Sequence, residues 1–286
     1  MSYYQMLGLG REPFSTSPDP AFFYQSETHR ATLANLMIEL RLRRGLSVVL
    51  GEVGTGKTTL GRKLVQMMRE RRGFIFHLVL DPTYPSEDLF FQSLLRTMQI
   101  PIPPTVTLVD CRNALEEFLF RSALGRQQIV VLIIDEAHKL NPLSLEALRI
   151  LLNYETNETK LLQLVLLGQM ELLPVLTHMP NLLDRVSLKR ILQPFDLRET
   201  REMIAFRLAQ AGYSLRQPLF LEEAIEEIYR STQGYPRQIA MLCHQALRCL
   251  VMRHQRAADR ELISELVQQE IASGWDQARI PQKSSF

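Results

Sequence analysis

The sequence predicts an α/β protein, a parallel sheet of five strands with helices on both faces, followed by a smaller all-helical domain. Three observations predict it. Short apolar runs at Leu46 to Leu50, Phe74 to Leu80, Ile129 to Ile134 and Leu161 to Leu167, with a weaker fifth at Leu188 to Leu192, alternate with segments of helical periodicity. From about Asp196 the strands stop and helical patterns alone continue. Finally, polar, acidic or glycine-rich residues stand directly after the first, third and fourth runs, where the ligand crevice of a parallel sheet lies.

Taken in order, Pro13, Pro18, Asp19 and Pro20 make an opening segment rich in turn formers, and Ser26 is placed to cap a helix running to about Arg43. Leu60, Leu64, Met67 and Met68 give Thr58 to Arg72 a helical face, so the first run reads as strand, glycine-rich loop, helix. Ser86 to Met98 and Asp110 to Leu124 read as further helices. The six uninterrupted apolar residues of Ile129 to Ile134 read as a strand buried on both faces. The helical region contains Leu197 to Gly212, Leu221 to Thr232, Arg237 to His254 and Asp259 to Ala272. The expected organisation is an N-terminal segment and helix at 1–40, a core at 41–195, a helical lid domain at 196–272 and a tail at 273–286.

Composition narrows the function classes. Of 286 residues, 46% are apolar and 22% charged, the usage of an ordinary folded protein. The formal charge of +2 gives no whole-molecule sign of a nucleic acid or membrane partner. Cys111, Cys243 and Cys249 form no C-x-x-C spacing, and no two histidines stand four apart, so neither a disulfide scaffold nor a transition-metal site is expected. No signal peptide and no membrane-length apolar stretch is read, which leads to the expectation of a soluble, cytoplasmic chain.

The chemistry lies after the strands. Gly51-Glu52-Val53-Gly54-Thr55-Gly56-Lys57-Thr58 satisfies G-x-x-x-x-G-K-[ST] between a strand and a helix. Its glycines let successive backbone N–H groups turn toward phosphate oxygens, and the following helix offers its positive end to the same anion. Lys57 is expected to reach the β- and γ-phosphates of ATP, and Thr58 to ligate Mg²⁺. Asp135, after the buried third strand, is expected in the Mg²⁺ shell, and Glu136 next to it is placed to polarise the attacking water. Gln169 follows the fourth run through Gly168, where its amide could orient that water. Arg237, at a helix start in the second domain, is a candidate to reach the phosphates from a lid. Arg185, Lys189 and Arg190 are read between the fourth and fifth strands, and Arg185, before Arg190, is the candidate to act on a neighbouring subunit.

Nearly the whole chain resembles an AAA+ ATPase of the ExeA/GspA secretion type. The loop from Gly51 to Thr59 carries the likeness, with Gly8-Leu9, Pro13-Phe14, Pro18-Asp19-Pro20, Asn153-Tyr154-Glu155-Thr156, Gly168-Gln169, Pro236-Arg237 and Leu242-Cys243. The resemblance implies a five-stranded P-loop NTPase core of the ASCE class with a helical lid, assembled as a ring or filament. It implies that Gln169 is sensor 1, Arg237 sensor 2 and Arg185 the arginine-finger region. His138 stands where the family frequently has glutamine, and Ala240-Met241 replaces a commoner Asn-containing step. Secretion members commonly continue into a membrane helix and a periplasmic peptidoglycan-binding domain, neither of which is read in this sequence, and the short form is also similar to pilus-assembly ATPases and to the ATPases that partner transposases.

Two functional expectations follow. One is a Mg²⁺-dependent ATPase resetting a secretion or pilus assembly. The other is an ATP-dependent regulator that polymerises on duplex DNA and recruits a recombinase. For the second the sequence offers two basic stretches: Arg41, Arg43, Arg44 with Arg62, Lys63, Arg69, Arg71 and Arg72, and later Arg248, Arg253, Arg256 and Arg260 with His244 and His254. A nucleotide-binding scaffold with little hydrolysis is a third, disfavoured by Glu136.

Overall fold

The computed structural model describes residues 2–69, 73–101, 105–157, 159–214 and 217–273. In chain order the elements are α1 (Tyr3–Met6), α2 (Glu27–Arg41), β1 (Leu46–Gly51), α3 (Lys57–Arg69), β2 (Phe74–Val79), α4 (Glu87–Thr97) and α5 (Leu108–Phe120). They continue with β3 (Ile129–Ile134), α6 (Pro142–Leu151), β4 (Leu162–Gly168), α7 (Leu172–Thr177), α8 (Pro180–Leu183) and β5 (Val186–Leu192). Four helices close the described chain: α9 (Leu197–Gln210), α10 (Glu222–Thr232), α11 (Pro236–Arg253) and α12 (Arg260–Ala272).

The chain divides into two compact units, Glu27–Gln193 and the described parts of 1–26 and 194–286. The first holds one five-stranded parallel sheet in the order β2-β3-β4-β1-β5. β1, β3 and β4 are the buried centre, which is why β3 reads as an uninterrupted apolar run and β1 and β4 as apolar runs broken only by buried Ser47 and Gln163 before their final glycines. β5 is an edge strand. It buries Leu188 and Leu192 but exposes Ser187, Lys189, Arg190 and Ile191, so its sequence signal is weak and its observed start is Val186 rather than Leu188. Helix starts carry their own chemistry. Ser86 accepts from the Leu89 N–H at 3.3 Å, Asn141 accepts from Ser144 ahead of Pro142, and Thr107 with Asp110 closes a reciprocal cap. The helix expected to end at Leu124 instead leaves regular α geometry at Phe120 and continues as one wider π-helical turn, Arg121–Gly125.

The second unit is helical, and it corrects the expectation of a separate N-terminal segment at 1–40. That stretch is divided. Leu9, Phe14 and Phe22 are buried in one apolar cluster with Phe195, Met203, Ile239 and Leu247, whereas α2 packs in the sheet unit. The physical reason is the aromatic content of the opening segment, which is too apolar to stand in water as a linker. Half-buried Arg207 fixes it further, donating from Nη1 to the carbonyls of Ser15 at 3.2 Å and Pro13 at 3.4 Å. The expected tail from Gly274 and the basic residues Arg71 and Arg72 lie outside the described residues. No helix among the described residues is long and apolar enough to cross a membrane.

Candidate active site

The sheet order decides where the site lies. β1 leads to β2 across two intervening strands, so the loops after β1, β3 and β4 gather at one edge. Gly51 ends β1 and Lys57 begins α3, with the glycine-rich loop between them. Gly54 and Gly56 hold φ of 85° and 95°, the left-handed region a side chain disfavours, and this winds the backbone into an anion-sized concavity. Glu52 and Val53 face solvent, Thr55 is buried and donates from its hydroxyl to the Glu52 carbonyl at 2.8 Å, and Thr59 is partly covered one turn into the helix.

Lys57 is only 6% exposed. Its ammonium donates to the carbonyls of Gly51 at 2.7 Å and Glu52 at 2.9 Å, so the cation is held at the mouth of the loop. Burial pushes its pKa below the ordinary lysine value, against the opposing pull of Glu136 and Asp135. The loops after β1 and β3 meet at one contact: Thr58 Oγ1 donates to Asp135 Oδ2 at 2.6 Å. Burial raises the Asp135 carboxyl, opposed by that bond and by the Glu136 N–H donating to Oδ1 at 3.0 Å. The Asp135 N–H is itself tied to the Val79 carbonyl of β2 at 2.8 Å.

Residues 40–176 match the family described as AAA domain. This stretch carries an AAA domain. The fold of the chain agrees with three solved structures. Cdc6p from Pyrobaculum aerophilum superposes with a TM-score of 0.67 at 19% identity, covering 86% of this chain and 67% of that one. The ORC2 protein of Aeropyrum pernix, in ADPNP and ADP complexes, gives 0.64 at 14% identity over 91% and 71%. Drosophila ORC bound to DNA gives 0.65 at 20% identity over 99% and 70%. In sequence, the general secretion pathway protein A of Aeromonas hydrophila is 36% identical over 247 residues, 86% of this chain. The chain spans 44% of that relative's length. The likeness to the ExeA/GspA type read from the motifs is thereby supported.

Within the AAA domain, Glu136 leaves β3 in a left-handed conformation, φ 51° and ψ 34°, unusual for a residue with a side chain. Its carboxylate Oε2 lies 3.6 Å from His138 Nε2, and the same nitrogen lies 3.1 Å from the amide nitrogen of Gln169, beyond the end of β4. The structure therefore brings Glu136 and Gln169 together through a histidine that the sequence marked only as a departure. A second histidine went unremarked. His29 on α2 is 1% exposed, and its Nε2 lies 2.9 Å from the Thr55 carbonyl of the glycine-rich loop. An isolated histidine on an amphipathic helix carries no sequence signal of such a role.

Other candidates lie on different elements. Arg185 follows α8 and precedes β5, at the amino ends of the strands and so at the end opposite the glycine-rich loop, because Val186 pairs with Leu46 while Leu192 pairs with Gly51. Glu146 and Glu155 feel its charge. Arg190 pairs in register with Val49 and is exposed on the edge strand. Arg237 is exposed in the first turn of α11 in the helical unit, after Pro236. Much of the later basic stretch is already paired: Arg253 with Glu265, Arg260 with Glu226 and His244 with Glu12.

The donor set fits a magnesium nucleotide. A hydroxyl and a carboxylate 2.6 Å apart are the hard oxygen ligands such a cation takes, and the loop beside them ends on a buried ammonium and a helix N-terminus.

Proposed function

We propose that the chain binds Mg²⁺-ATP on the loop from Gly51 to Thr59 and hydrolyses it, and that this cycle drives or regulates a secretion-type assembly. The Thr58 to Asp135 contact at 2.6 Å carries the reading, because it joins the loop after β1 to the acidic pair after β3 at one point. Lys57 would hold phosphate oxygens, and Thr58 with Asp135 would hold the metal. When bound, the cation supplies charge neutralisation at the phosphates. Glu136 is the base that polarises the attacking water, Gln169 orients that water, and Arg237 and Arg185 supply positive charge to the transition state. These roles follow from chemistry and placement, with sensor and finger assignments drawn from family likeness.

The secretion role rests on the 36% identical relative, with a pilus assembly as a variant of the same reading. A cytoplasmic position and a homo-oligomer, ring or filament, belong to the same reading. The duplex-DNA alternative loses support from the ion pairs that neutralise Arg253 and Arg260.

Glu136→Gln is expected to bind ATP at near-parental affinity while turnover falls by about 10²-fold or more, and Lys57→Ala to lose affinity itself. Measuring steady-state hydrolysis and nucleotide binding decides it; parental turnover in Glu136→Gln removes that residue as base. The same assay with and without duplex DNA at two salt concentrations separates the pathways. Stimulation that disappears at high salt would support the DNA reading, and indifference supports the assembly motor.

A further inference from the structure

We propose that His138 is a positioning residue that couples Gln169 to Glu136 through its Nε2 atom. The inference rests on the reading of Glu136 as the base and goes beyond it, because neither motif nor family likeness gives this histidine a role.

The geometry is set by adjacent strands. β3 and β4 pair in parallel, Ile134 opposite Leu166, so the turn Ala137–Lys139 after one and Gln169 after the other emerge side by side. Gly168 allows the close approach: a Cβ there would lie 3.4 Å from the His138 backbone nitrogen and 2.9 Å from Leu172 Cδ2. The imidazole is largely buried, its side chain 16% exposed, so its position is fixed by packing rather than by solvent.

Nε2 then faces two groups with opposite demands. The carboxylate of Glu136 only accepts hydrogen bonds, whereas the amide of Gln169 offers a donor or, turned over, an acceptor. With the ring proton on Nδ1, the single lone pair of Nε2 accepts the Gln169 N–H at 3.1 Å and the ring offers no donor to the carboxylate 3.6 Å away. Nδ1 is buried without a hydrogen-bond partner, so a proton placed there is left unsatisfied. With the proton on Nε2, that N–H can serve Glu136 or the oxygen of a turned Gln169, one at a time. A reorientation of Gln169 therefore changes the force on Glu136. When the amide holds the ring, the carboxylate is released to a water; when the amide turns away, the ring restrains the carboxylate. The left-handed backbone at Glu136 adds to this, since a residue held off its preferred conformation depends on side-chain partners to stay in place.

Kinetics on the full chain test it, with ATP turnover giving kcat and KM and a fluorescent ATP analogue giving Kd. His138→Ala is expected to lower kcat by about tenfold to a hundredfold with KM and Kd within about twofold. His138→Gln offers both a donor and an acceptor at similar reach and is expected to recover most of the lost kcat. His138→Ala combined with Gln169→Ala is expected to be no slower than the slower single variant, as for two residues acting as one unit. Parental kcat in His138→Ala, failure of glutamine to rescue, or losses that multiply in the double variant would each overturn the coupling. Should His138→Ala lose its thermal transition, His138→Asn, too short to span both groups, is measured by the same criteria. Glu136→Gln separates the two levels. If it turns over normally the base assignment itself falls; if it stalls while His138→Ala does not, only the coupling falls.

Discussion

His29 shows how one side chain links burial, pH and the nucleotide loop. The Thr55 carbonyl it touches can only accept, so Nε2 carries the ring proton and donates it at 2.9 Å. Burial lowers its pKa from 6.5 to about 4, the backbone bond opposing only in part. Between those values the unfolded chain binds a proton that the folded chain does not, so the stabilisation is complete above about pH 6.5, declines as the pH falls, and is spent near pH 4. Its ceiling is about 3 kcal/mol. Denaturant unfolding of the parent at pH 7.5 and pH 5 should show this acid-side loss, and His29→Gln should flatten it. An unchanged slope in His29→Gln would assign the loss elsewhere. Nothing in the sequence identifies this residue, because a buried histidine is recognised by what surrounds it. Lys57, Thr58 and Asp135 stood out as candidates for the opposite reason: their spacing within one loop, or at one strand end, is itself the motif.

At the scale of elements, the central strands and most helices were legible because a strand buried on both faces is apolar along nearly its whole length, as β3 is throughout and β4 is except at Gln163. The edge strand β5 was half legible, since it shows an apolar residue only where it faces inward. The opening segment misled for want of periodicity: Leu9, Phe14 and Phe22 are anchors spaced by loop geometry, and only the tertiary structure shows that they complete the helical unit. The turn into α11 gives a test at this scale. Gln233 and Gly234 both hold positive φ, and a Cβ on Gly234 would come within 1.9 Å of the Phe195 carbonyl oxygen. Phe195 N–H in turn donates to the Gly234 carbonyl at 2.9 Å, so the two backbones cannot separate without losing a buried bond. Gly234→Ala should destabilise the helical unit by roughly 2–4 kcal/mol, read as a lowered thermal midpoint. A midpoint within a degree or two of the parent would show that the turn yields.

For the whole molecule the question is whether Arg185 could serve the nucleotide loop of its own chain, and the sheet register argues that it could not. Gly51 opens the nucleotide loop at the carboxyl end of β1, and Arg185 precedes Val186, which pairs with Leu46 at the amino end. Five residue steps along a strand separate those ends by roughly 17 Å, beyond the reach of an arginine side chain. Arg185 therefore cannot serve its own loop; if it stabilises phosphoryl transfer, it does so on the loop of a second copy. Such an arginine contributes a factor of about 10³ or more in other phosphoryl-transfer sites. Arg185→Ala should accordingly bind ATP with parental affinity and hydrolyse it poorly, while Lys57→Ala should fail at binding. Mixing the two variants should restore part of the activity, because in a mixed assembly the intact loop of the first faces the intact arginine of the second. Activity should also fall on dilution of the parent as assemblies dissociate. Parental hydrolysis by Arg185→Ala alone would exclude a shared site built on this residue, and Arg190, exposed on the same strand, would be the next to substitute.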